Sequence, residues 1–223
     1  MSSRYDRLLS LSSFSKEDLK TLQSKKVLII GVGGVGQHIA TYLITNGIEH
    51  LTIVDYDVVE TSNLNRQILL TEKDIGKPKV EVVKKALLDR NSDAEVRSIN
   101  TKLTEANAKN IITSEYDIVV DALDNWEGKF IISDTCHAQN IPFLHVGVDG
   151  MNGQFCIFKN KSLRDILPGD VVKEERDGVI GSIVGSVASF ASTLVINHVL
   201  GKAKYNRMFC IEFVNNRISS GDL

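Results

Sequence analysis

The sequence predicts a doubly wound α/β fold, in which helices cover both faces of a mainly parallel, Rossmann-like sheet and an antiparallel extension forms the C-terminal part. Between residues 27 and 146, short apolar runs alternate with amphipathic segments, which is typical of buried parallel strands joined by helices. Beyond residue 147 the apolar runs 154–158 and 208–214, with a turn at 215–216, favour antiparallel pairing. The 223 residues, 43% of them hydrophobic, suit a single domain over 1–223.

The elements can be placed in order along the chain. Residues 1–24 are predicted to form a helical arm, since Ser15 and Asp18 have the spacing of a capping box. The predicted strands are 27–30, 51–54, 95–99, 118–120 and 143–146. The predicted helices are 34–46, closed by Gly47; 78–90, with Pro78 at its first position; a short helix capped by Thr104; and 126–139.

Two C-terminal segments have unusual compositions. The polar stretch 159–177 is predicted to be a mobile crossover loop. Residues 179–200 contain no Asp, Glu, Lys or Arg, as a membrane-spanning helix would, but they include Ser, Thr, Asn and His and have no flanking cationic cluster. A helix buried between the sheet and another subunit explains this composition better, so no membrane segment is expected.

Charge and cysteine content bear on the class of protein. The formal net charge of −2 gives no general attraction to nucleic acid or to anionic membranes. The three cysteines are far apart and form no Cys-x-x-Cys pair, which disfavours a disulfide framework and a four-cysteine zinc site and suits a reducing, cytoplasmic location. His137, His145 and His198 lie in or beside apolar segments and are expected to be core or interface histidines.

A glycine-rich turn, GVGGVG at 31–36, follows the first predicted strand and opens the first helix of the sheet. Glycines let the backbone approach a phosphate closely, and the helix N-terminus supplies free N–H groups. Asp55 ends the next strand, where its carboxylate can accept hydrogen bonds from ribose hydroxyls. These features predict an adenine nucleotide or a dinucleotide, with NAD as the default. The candidate residues are Gly31, Gly33, Gly34, Gly36 and Asp55.

Side chains beyond the glycine turn favour a nucleoside triphosphate over NAD. Arg66 and Lys79 are expected on loops at the carboxyl edge of the sheet. A triphosphate needs such cations, which can also stabilise a departing pyrophosphate, whereas NAD leaves them without a role. Asn63 and Gln67 suit neutral hydrogen bonds to phosphate or ribose oxygens.

Two carboxylates, Asp121 and Asp124, follow the predicted strand 118–120 at the same edge. One of them can hold Mg²⁺, which prefers oxygen ligands and phosphates. The remaining nucleotide-binding candidates lie beside these motifs in the sequence and are Asp57, Leu123 and Asn125.

These motifs together resemble the MoeB/ThiF/HesA family, which is related to ubiquitin-activating enzymes. The combination of Asn-Leu-x-Arg-Gln with Gly-x-Pro-Lys is highly specific, and the resemblance covers nearly the whole chain. It is carried by segments 4–7, 31–36, 62–67, 76–79, 121–125, 136–137, 141–142, 150–154 and 178–181, together with Asp55.

The resemblance implies ATP- and Mg²⁺-dependent adenylation of a carboxylate with release of pyrophosphate. The usual substrate is the C-terminal glycine of a small ubiquitin-like sulfur-carrier protein, as in thiamine or molybdopterin pathways. The implied roles are Gly33 and Gly36 in the phosphate loop, Asp55 at the ribose, Asn63, Arg66, Gln67 and Lys79 at the phosphates, and Asp124 at the magnesium. Arg7 would reach into the active site of the second subunit of a homodimer, with residues 179–200 in the core and the dimer contact.

The sequence departs from the family pattern in two places. The two Cys-x-x-Cys pairs that bind structural zinc in many members are absent, so no zinc site is expected. Where some members carry a cysteine that bonds covalently to the carrier, this chain has Glu-Glu-Arg-Asp at 174–177. The chemistry is therefore expected to stop at the acyl-adenylate.

The sequence is also compatible with other functions. The carboxylate can belong to a ribosomally made peptide, or to a modified tRNA nucleoside as in tRNA-modifying relatives, although the lack of excess basic charge argues against tRNA. A non-catalytic scaffold that binds nucleotide and an NAD(P)-dependent oxidoreductase are the remaining alternatives. The catalytic candidates of the leading hypothesis are Arg66, Lys79, Asp124 and Arg7.

Overall fold

The computed structural model describes residues 3–167 and 178–223. The strands are β1 (Lys26–Ile30), β2 (His50–Asp55), β3 (Glu95–Asn100), β4 (Ile118–Asp121), β5 (Phe143–Asp149), β6 (Asn152–Phe158), β7 (Arg207–Glu212) and β8 (Arg217–Asp222). The helices are α1 (Asp6–Leu9), α2 (Lys16–Ser24), α3 (Gly34–Thr45), α4 (Lys79–Leu88), α5 (Glu105–Ile111), α6 (Trp126–Ala138) and α7 (Gly181–Val199).

The eight strands of the described residues form one sheet, in the order β3-β2-β1-β4-β5-β6-β7-β8. Strands β1 to β5 pair in parallel, and the pairs from β5 to β8 are antiparallel. The chain leaves β1 toward β2 and later returns to β4 on the other side of β1. The strand order therefore reverses between β1 and β4, and the crevice at their carboxyl ends is the place where open α/β sheets bind ligands. The predicted fold class is confirmed.

Strand β1 shows how the sequence builds a core on both faces of the sheet. Side chains alternate along a strand, and Val27 and Ile29 pack into the cluster that includes residues of α3, α4 and α7. Leu28 and Ile30 belong to the opposite cluster, with residues of α5 and α6. These four side chains are at most 1% exposed, which explains why the sequence of the strand is continuously apolar.

The C-terminal part differs from the prediction in the number and length of its strands. β5 continues past Gly147 to Asp149 and turns through Gly150, at φ +53°, into β6. β7 ends at Glu212, so residues 213–214 lie beyond the strand. The edge strand β8 was not predicted, because its residues are polar and mostly exposed and show no apolar alternation. Pro78 is the N-cap of α4, one position before the predicted one.

Helix α7 is the one helix of the described residues that is long and apolar enough to cross a membrane. In the fold it packs against α3, β5 and β6, and it buries one face, which includes Val187, Ala188, Ala191 and Val195. This packing supports a core helix. Part of the predicted crossover loop, 168–177, lies outside the described residues, and its first part contains a 3₁₀ turn, Leu163–Asp165, with Leu163 fully buried.

Candidate nucleotide-binding site

A cavity of about 1090 Å³ opens at the carboxyl ends of β1, β2 and β4 and extends along β5, β6 and β7. Twelve of the residues predicted from the sequence line it: Gly31, Gly33, Gly34, Asp55, Asp57, Asn63, Arg66, Gln67, Lys79, Leu123, Asp124 and Asn125. Gly36, Asp121 and Arg7 do not line it. The fold thus brings loops that are up to 94 residues apart, from Gly31 to Asn125, to one site.

The glycines of the turn have different structural roles. Gly31 has φ +93°, and a Cβ there would lie 2.7 Å from the carbonyl oxygen of Ala122, while a Cβ at Gly36 would collide with the carbonyl oxygen of Gly31. Gly33 is open by contrast, since the nearest atom to its added Cβ would be Gln67 Nε2 at 4.0 Å. Gly31 and Gly36 therefore allow close packing, and Gly33 leaves space for a ligand.

The N-terminus of α3 adds a place for an anion. Gly33 is the N-cap, and no described side chain caps this helix end. The first N–H groups of an α-helix lack partners within the helix, and the helix dipole favours negative charge there. This end of α3 therefore has the chemistry of a phosphate site.

Asp55 ends β2 with both carboxylate oxygens bound to backbone. Oδ2 accepts a hydrogen bond from Val32 N at 2.8 Å, and Oδ1 accepts one from Asp57 N at 2.9 Å. Burial raises the pKa of Asp55, and these two N–H groups and the charge of Lys79 partly oppose that rise. The hydrogen bonds fix the carboxylate at the cavity wall, where its remaining lone pairs can accept hydroxyl protons.

Lys79 begins α4 and is bound to Asp57. Its Nζ lies 2.7 Å from Asp57 Oδ2, and its backbone N–H donates to the carbonyl oxygen of Asp57 at 2.9 Å. The Lys79 side chain is 7% exposed, whereas that of Asp57 is 46% exposed. An anion entering the cavity would therefore compete with a partly solvated carboxylate for the ammonium group of Lys79.

Arg66 is held at the cavity wall by local hydrogen bonds. Its Nη1 donates to the carbonyl oxygen of Ser62 and to Asn65 Oδ1, each at 2.9 Å. Asn63 stabilises the same loop, because its Oδ1 accepts a hydrogen bond from Glu60 N at 3.1 Å. The guanidinium group has five N–H donors, so these two bonds leave it able to bind an anion as well.

Gln37, which was not among the predicted residues, orients Gln67. Gln37 is fully buried, and its Nε2 donates to the carbonyl oxygen of Val32 at 2.8 Å and to Gln67 Oε1 at 3.1 Å. Its Oε1 accepts a hydrogen bond from Leu69 N at 2.9 Å. Because Gln67 Oε1 is engaged, the amide group of Gln67 presents its NH₂ toward Gly33. The sequence signal for this role of Gln37 is a glutamine in a helix where the adjacent residues, Gly36 and His38, are buried as well.

The turn between β4 and α6 carries Asp124. Asp124 is exposed and lines the cavity. Asn125 is the N-cap of α6, and its Oδ1 accepts a hydrogen bond from Gly128 N at 2.8 Å. At the other end of the turn, Ala122 N donates to the carbonyl oxygen of Ile30 at 2.9 Å. The turn is therefore fixed to β1 on one side and to α6 on the other.

Asp121 is fully buried behind this turn in a cluster with Lys129 and His145. Its Oδ2 lies 3.0 Å from Lys129 Nζ and 2.9 Å from His145 Nδ1, and its Oδ1 accepts a hydrogen bond from Leu123 N at 3.2 Å. Lys129 Nζ also donates to the carbonyl oxygen of Val146 at 2.7 Å. With 0% exposure, Asp121 has no surface for a direct contact with nucleotide, in contrast to its neighbour Asp124.

The charge states of the cluster follow from its burial. Desolvation alone would raise the pKa of Asp121, but the charge of Lys129 and the hydrogen bond from His145 outweigh it and lower this pKa. Burial and then the charge of Lys129 lower the pKa of His145, so the imidazole is neutral. Since a carboxylate can only accept, Nδ1 carries the proton, and Nε2 accepts from Gln154 Nε2 at 3.4 Å.

The remaining predictions concern residues away from the cavity. His145 and His198 are buried or half-buried with hydrogen-bond partners, as expected, but His137 is exposed on α6. Arg7 is exposed on α1, so its role depends on a second subunit and stays a prediction. Within residues 3–167 and 178–223, no group of three or more His, Cys, Asp or Glu side chains is placed to hold a metal ion.

Comparison with known proteins places the chain in a family. The sheet order, the glycine turn and the cavity at the switch point define an α/β protein of the Rossmann-like class. The chain belongs to the ThiF family, whose profile it matches over residues 5–222. This confirms the resemblance predicted from the sequence motifs.

Two curated relatives illustrate the match. The chain is 34% identical over 206 residues to the adenylyltransferase and sulfurtransferase MOCS3 of Culex quinquefasciatus, covering 89% of this chain and 47% of that protein. It is 33% identical over 207 residues to a probable molybdopterin-synthase adenylyltransferase of Porphyra purpurea, covering 89% and 54%. The chain therefore spans about half the length of the curated relatives it matches.

Solved structures support the fold. The chain superposes on MccB of E. coli in complex with MccA-N7isoASN with a TM-score of 0.88 at 24% identity, covering 100% of this chain and 72% of that one. It also superposes on E. coli MccB with ATP, with a TM-score of 0.83, covering 99% and 71%. At this level of identity the likeness concerns the fold.

Proposed function

We propose that this chain is an ATP- and Mg²⁺-dependent adenylyltransferase that activates a carboxylate as its acyl-adenylate. The observation that carries the proposal is the convergence of Arg66, Lys79 and Asp124 on the cavity that also contains the glycine turn. A dinucleotide site has no use for two cations and an exposed carboxylate beside the phosphate position, whereas triphosphate chemistry uses all three. The names of the curated relatives support the same activity.

The residues present fit ATP. The apolar side chains of Val54 and Leu103 line one part of the cavity, as a purine base requires. Asp55 would accept hydrogen bonds from the ribose hydroxyls, and Gly33 and the start of α3 would receive phosphate oxygens. Arg66 and Lys79, with the amides of Asn63 and Gln67, would bind the remaining phosphate oxygens.

In this proposal the substrate carboxylate attacks the α-phosphorus of ATP. A new oxygen–phosphorus bond forms between the carboxylate and AMP, and the bond to pyrophosphate breaks, so the negative charge increases on the leaving group. Arg66 and Lys79 would stabilise that charge, and the cavity would align the two reactants. Bound Mg²⁺, held by Asp124, would supply further neutralisation of phosphate charge.

The outer part of the cavity fits an extended C-terminal segment. It continues from the nucleotide end along Gly147, Gly153 and Gln154 to Cys210 and Glu212. Two glycines at the end of a ubiquitin-like carrier would suit a passage between two strand ends, because they need little space. We therefore propose a small ubiquitin-like sulfur carrier with a C-terminal Gly-Gly as the partner.

The buried cysteines support chemistry that stops at the adenylate. Burial raises the pKa of Cys136, and desolvation raises the pKa of Cys156 to about 12. A thiol with a raised pKa is a poor nucleophile at neutral pH, because only the thiolate reacts. The proposed product is therefore released or passed to another nucleophile.

We also propose that the protein is a cytoplasmic homodimer. The side chains of Tyr42, Ile68 and Phe190 are 38%, 52% and 48% exposed around a shallow cavity between α3 and α7. Apolar side chains grouped in this way are typical of a subunit interface. A second subunit would also give Arg7 its proposed place at the neighbouring active site, and light scattering of the purified protein tests this state.

Calorimetric titration with Mg·ATP, Mg·ADP and NADH tests the central proposal. We expect saturable Mg·ATP binding that Arg66→Ala weakens, with no heat from NADH. Arg97→Ala is the matched control, because Arg97 is an exposed arginine on the edge strand β3. Tight NADH binding without a response to Mg·ATP would defeat the proposal. If Mg·ATP binds as expected, pyrophosphate release with carrier protein, peptide or tRNA identifies the carboxylate.

A further inference from the structure

The cluster of Asp121, Lys129 and His145 joins three parts of the fold at the cavity wall, which Lys129 itself lines. Asp121 ends β4, Lys129 lies in the first turns of α6, and His145 lies opposite Asp121 in the parallel pairing of β4 with β5. All three side chains are at most 7% exposed. A buried ion pair is a costly feature, and removal of one partner leaves an uncompensated charge in the interior.

The cluster also holds the turn that carries Asp124. Asp121 uses one oxygen for Lys129 and His145 and the other for the backbone N–H of Leu123, which immediately precedes Asp124. Lys129 ties the same carboxylate to β5 through the carbonyl oxygen of Val146. The orientation of the turn therefore depends on the carboxylate of Asp121 in addition to the bonds of the turn to β1 and α6, and that carboxylate is paired with Lys129.

We propose that Lys129 is a positioning residue: through Asp121 it fixes the turn that carries Asp124, so that Mg²⁺-dependent binding of ATP requires Lys129 as well as Asp124. The inference rests on the proposed function, because Asp124 is the proposed metal ligand. Without the ammonium group, the Asp121 carboxylate must be protonated or must turn toward water. Either change weakens its hydrogen bond with Leu123 N and releases the turn.

His145 has a supporting role in the same cluster. Its Nδ1–H donates to Asp121 Oδ2, and its ring lies at 24° to that of Trp126, with the ring centroids 6.1 Å apart. Trp126 begins α6 and lines the cavity, two residues after Asp124. Through this contact with Trp126, the cluster constrains the beginning of α6 as well as the turn that precedes it.

Strand β4 offers a matched control at its other end. Lys25 Nζ lies 2.8 Å from Asp117 Oδ1 just before the first residue of β4, and both side chains are about one third exposed, at 33% and 31%. This second Lys–Asp pair contacts the same strand at the edge away from the cavity. Lys25→Met therefore removes the same chemical interaction without touching the turn.

The test compares ATP affinity with Mg²⁺ and with EDTA, by calorimetry on the whole chain. For Lys129→Met we expect the gain in affinity caused by Mg²⁺ to fall about tenfold or more, as for other residues behind a metal ligand. Affinity for ATP in EDTA should change by less than about twofold on the same physical grounds. Lys129→Arg should restore most of the gain, and Lys25→Met should leave it unchanged.

Each other outcome is decisive. An equal loss of affinity with Mg²⁺ and with EDTA, or an unchanged gain in folded Lys129→Met, overturns the role of Lys129 and leaves the proposed function intact. Wild-type protein that binds no ATP under either condition refutes the proposed function and the inference with it. If Lys129→Met does not fold, Lys129→Gln replaces it, and a Mg²⁺ gain equal to that of wild type overturns the inference.

Discussion

The two ends of strand β4 carry the same pair of residue types in different surroundings. At the amino end, Asp117 pairs with Lys25 at 2.8 Å, and both side chains are about one third exposed, at 31% and 33%. At the carboxyl end, Asp121 pairs with Lys129 at 3.0 Å, and the exposures are 0% and 7%. Distance alone would make the first pair the stronger, whereas burial makes the second the more consequential.

The difference reflects what each edge of the sheet does. The amino-end pair is partly exposed to solvent, so losing the attraction between Lys25 and Asp117 costs little stability and affects no ligand. The carboxyl-end pair lies at the wall of the cavity, which Lys129 lines, and it fixes a turn that faces the cavity. In some proteins a buried charge pair specifies one arrangement of groups, and we propose that role for this pair. Its position fits that role, because ligands of parallel sheets bind at the carboxyl edge.

The largest expected difference between the two ends concerns turnover. Asp124→Ala should lower the rate of pyrophosphate release by about 10³-fold or more, because metal and charge stabilisation of the leaving group is lost. Asp124 is exposed, so the thermal midpoint of the variant should stay close to that of wild type. A coupled pyrophosphate assay and a melting curve measure the two quantities.

Asp117→Ala is the control at the opposite end of β4. It should leave pyrophosphate release intact while lowering the thermal midpoint, because Asp117 also accepts a hydrogen bond from Lys26 N at 2.9 Å. If Asp117→Ala and Asp124→Ala had the same effect on turnover, this would refute the claim that the carboxyl edge of the sheet acts on the ligand and the amino edge does not.

The second difference concerns stability. Lys129→Met should lower the free energy of unfolding by about 3–5 kcal/mol, because it leaves the buried carboxylate of Asp121 without its paired cation. Lys25→Met should lower it by about 0–1 kcal/mol, since its partner remains partly solvated. Urea denaturation of both variants at pH 7.5 gives the comparison, and similar losses in the two would show that burial does not separate these pairs.

The parts of the molecule that the sequence predicted are those with strong local signals. Continuous apolar runs identify β1 and β4, and the GVGGVG turn identifies the start of α3, because each depends on residues close together in the chain. The polar edge strand β8 has no such pattern, since only pairing with β7 defines it. Its sequence could equally have formed a loop.

The candidate site divides in the same way. Arg66, Lys79 and Asp124 could be found from motifs because they face the ligand position in the cavity. Gln37 and His145 act through other side chains, as we propose for Lys129 although it also lines the cavity. The partners of all three are set by helix packing and strand register. The pairing of Asp121 with His145 follows from the β4–β5 register, which apolar runs alone do not determine.

A third difference concerns the pH dependence of folding stability, to which the cluster at the carboxyl end of β4 should contribute. Burial and the charge of Lys129 depress the pKa of His145 in the folded protein, whereas the unfolded chain takes up this proton near pH 6.5. Below about pH 6.5 the unfolded state therefore binds more protons than the native state, and stability falls. The lowered pKa of Asp121 has the same sign but acts only below its ordinary value of 3.8.

His145→Asn tests this dependence, because the asparagine amide can replace Nδ1–H as the donor to Asp121 but does not titrate. Between pH 7.5 and 5.5, the loss of unfolding free energy should become shallower by up to about 1.4 kcal/mol per pH unit. His198 keeps a dependence of the same sign in both proteins, since burial lowers its pKa too. Urea denaturation across this range would contradict the prediction if wild type and variant had parallel slopes.

The smallest expected effect is at Cys210, on the part of the cavity wall farthest along the sheet from β4. Cys210 lines the cavity between Gln154 on β6 and Ser219 on β8 in the strand register, and both neighbours are neutral. A cysteine becomes a strong nucleophile next to a cation, a base or a helix N-terminus, and these strand partners supply none of the three. Cys210→Ser should therefore change pyrophosphate release by less than about twofold. A non-reducing gel of wild type with carrier and Mg·ATP should show no adduct, and an adduct lost in Cys210→Ser would extend the chemistry of the site beyond the adenylate.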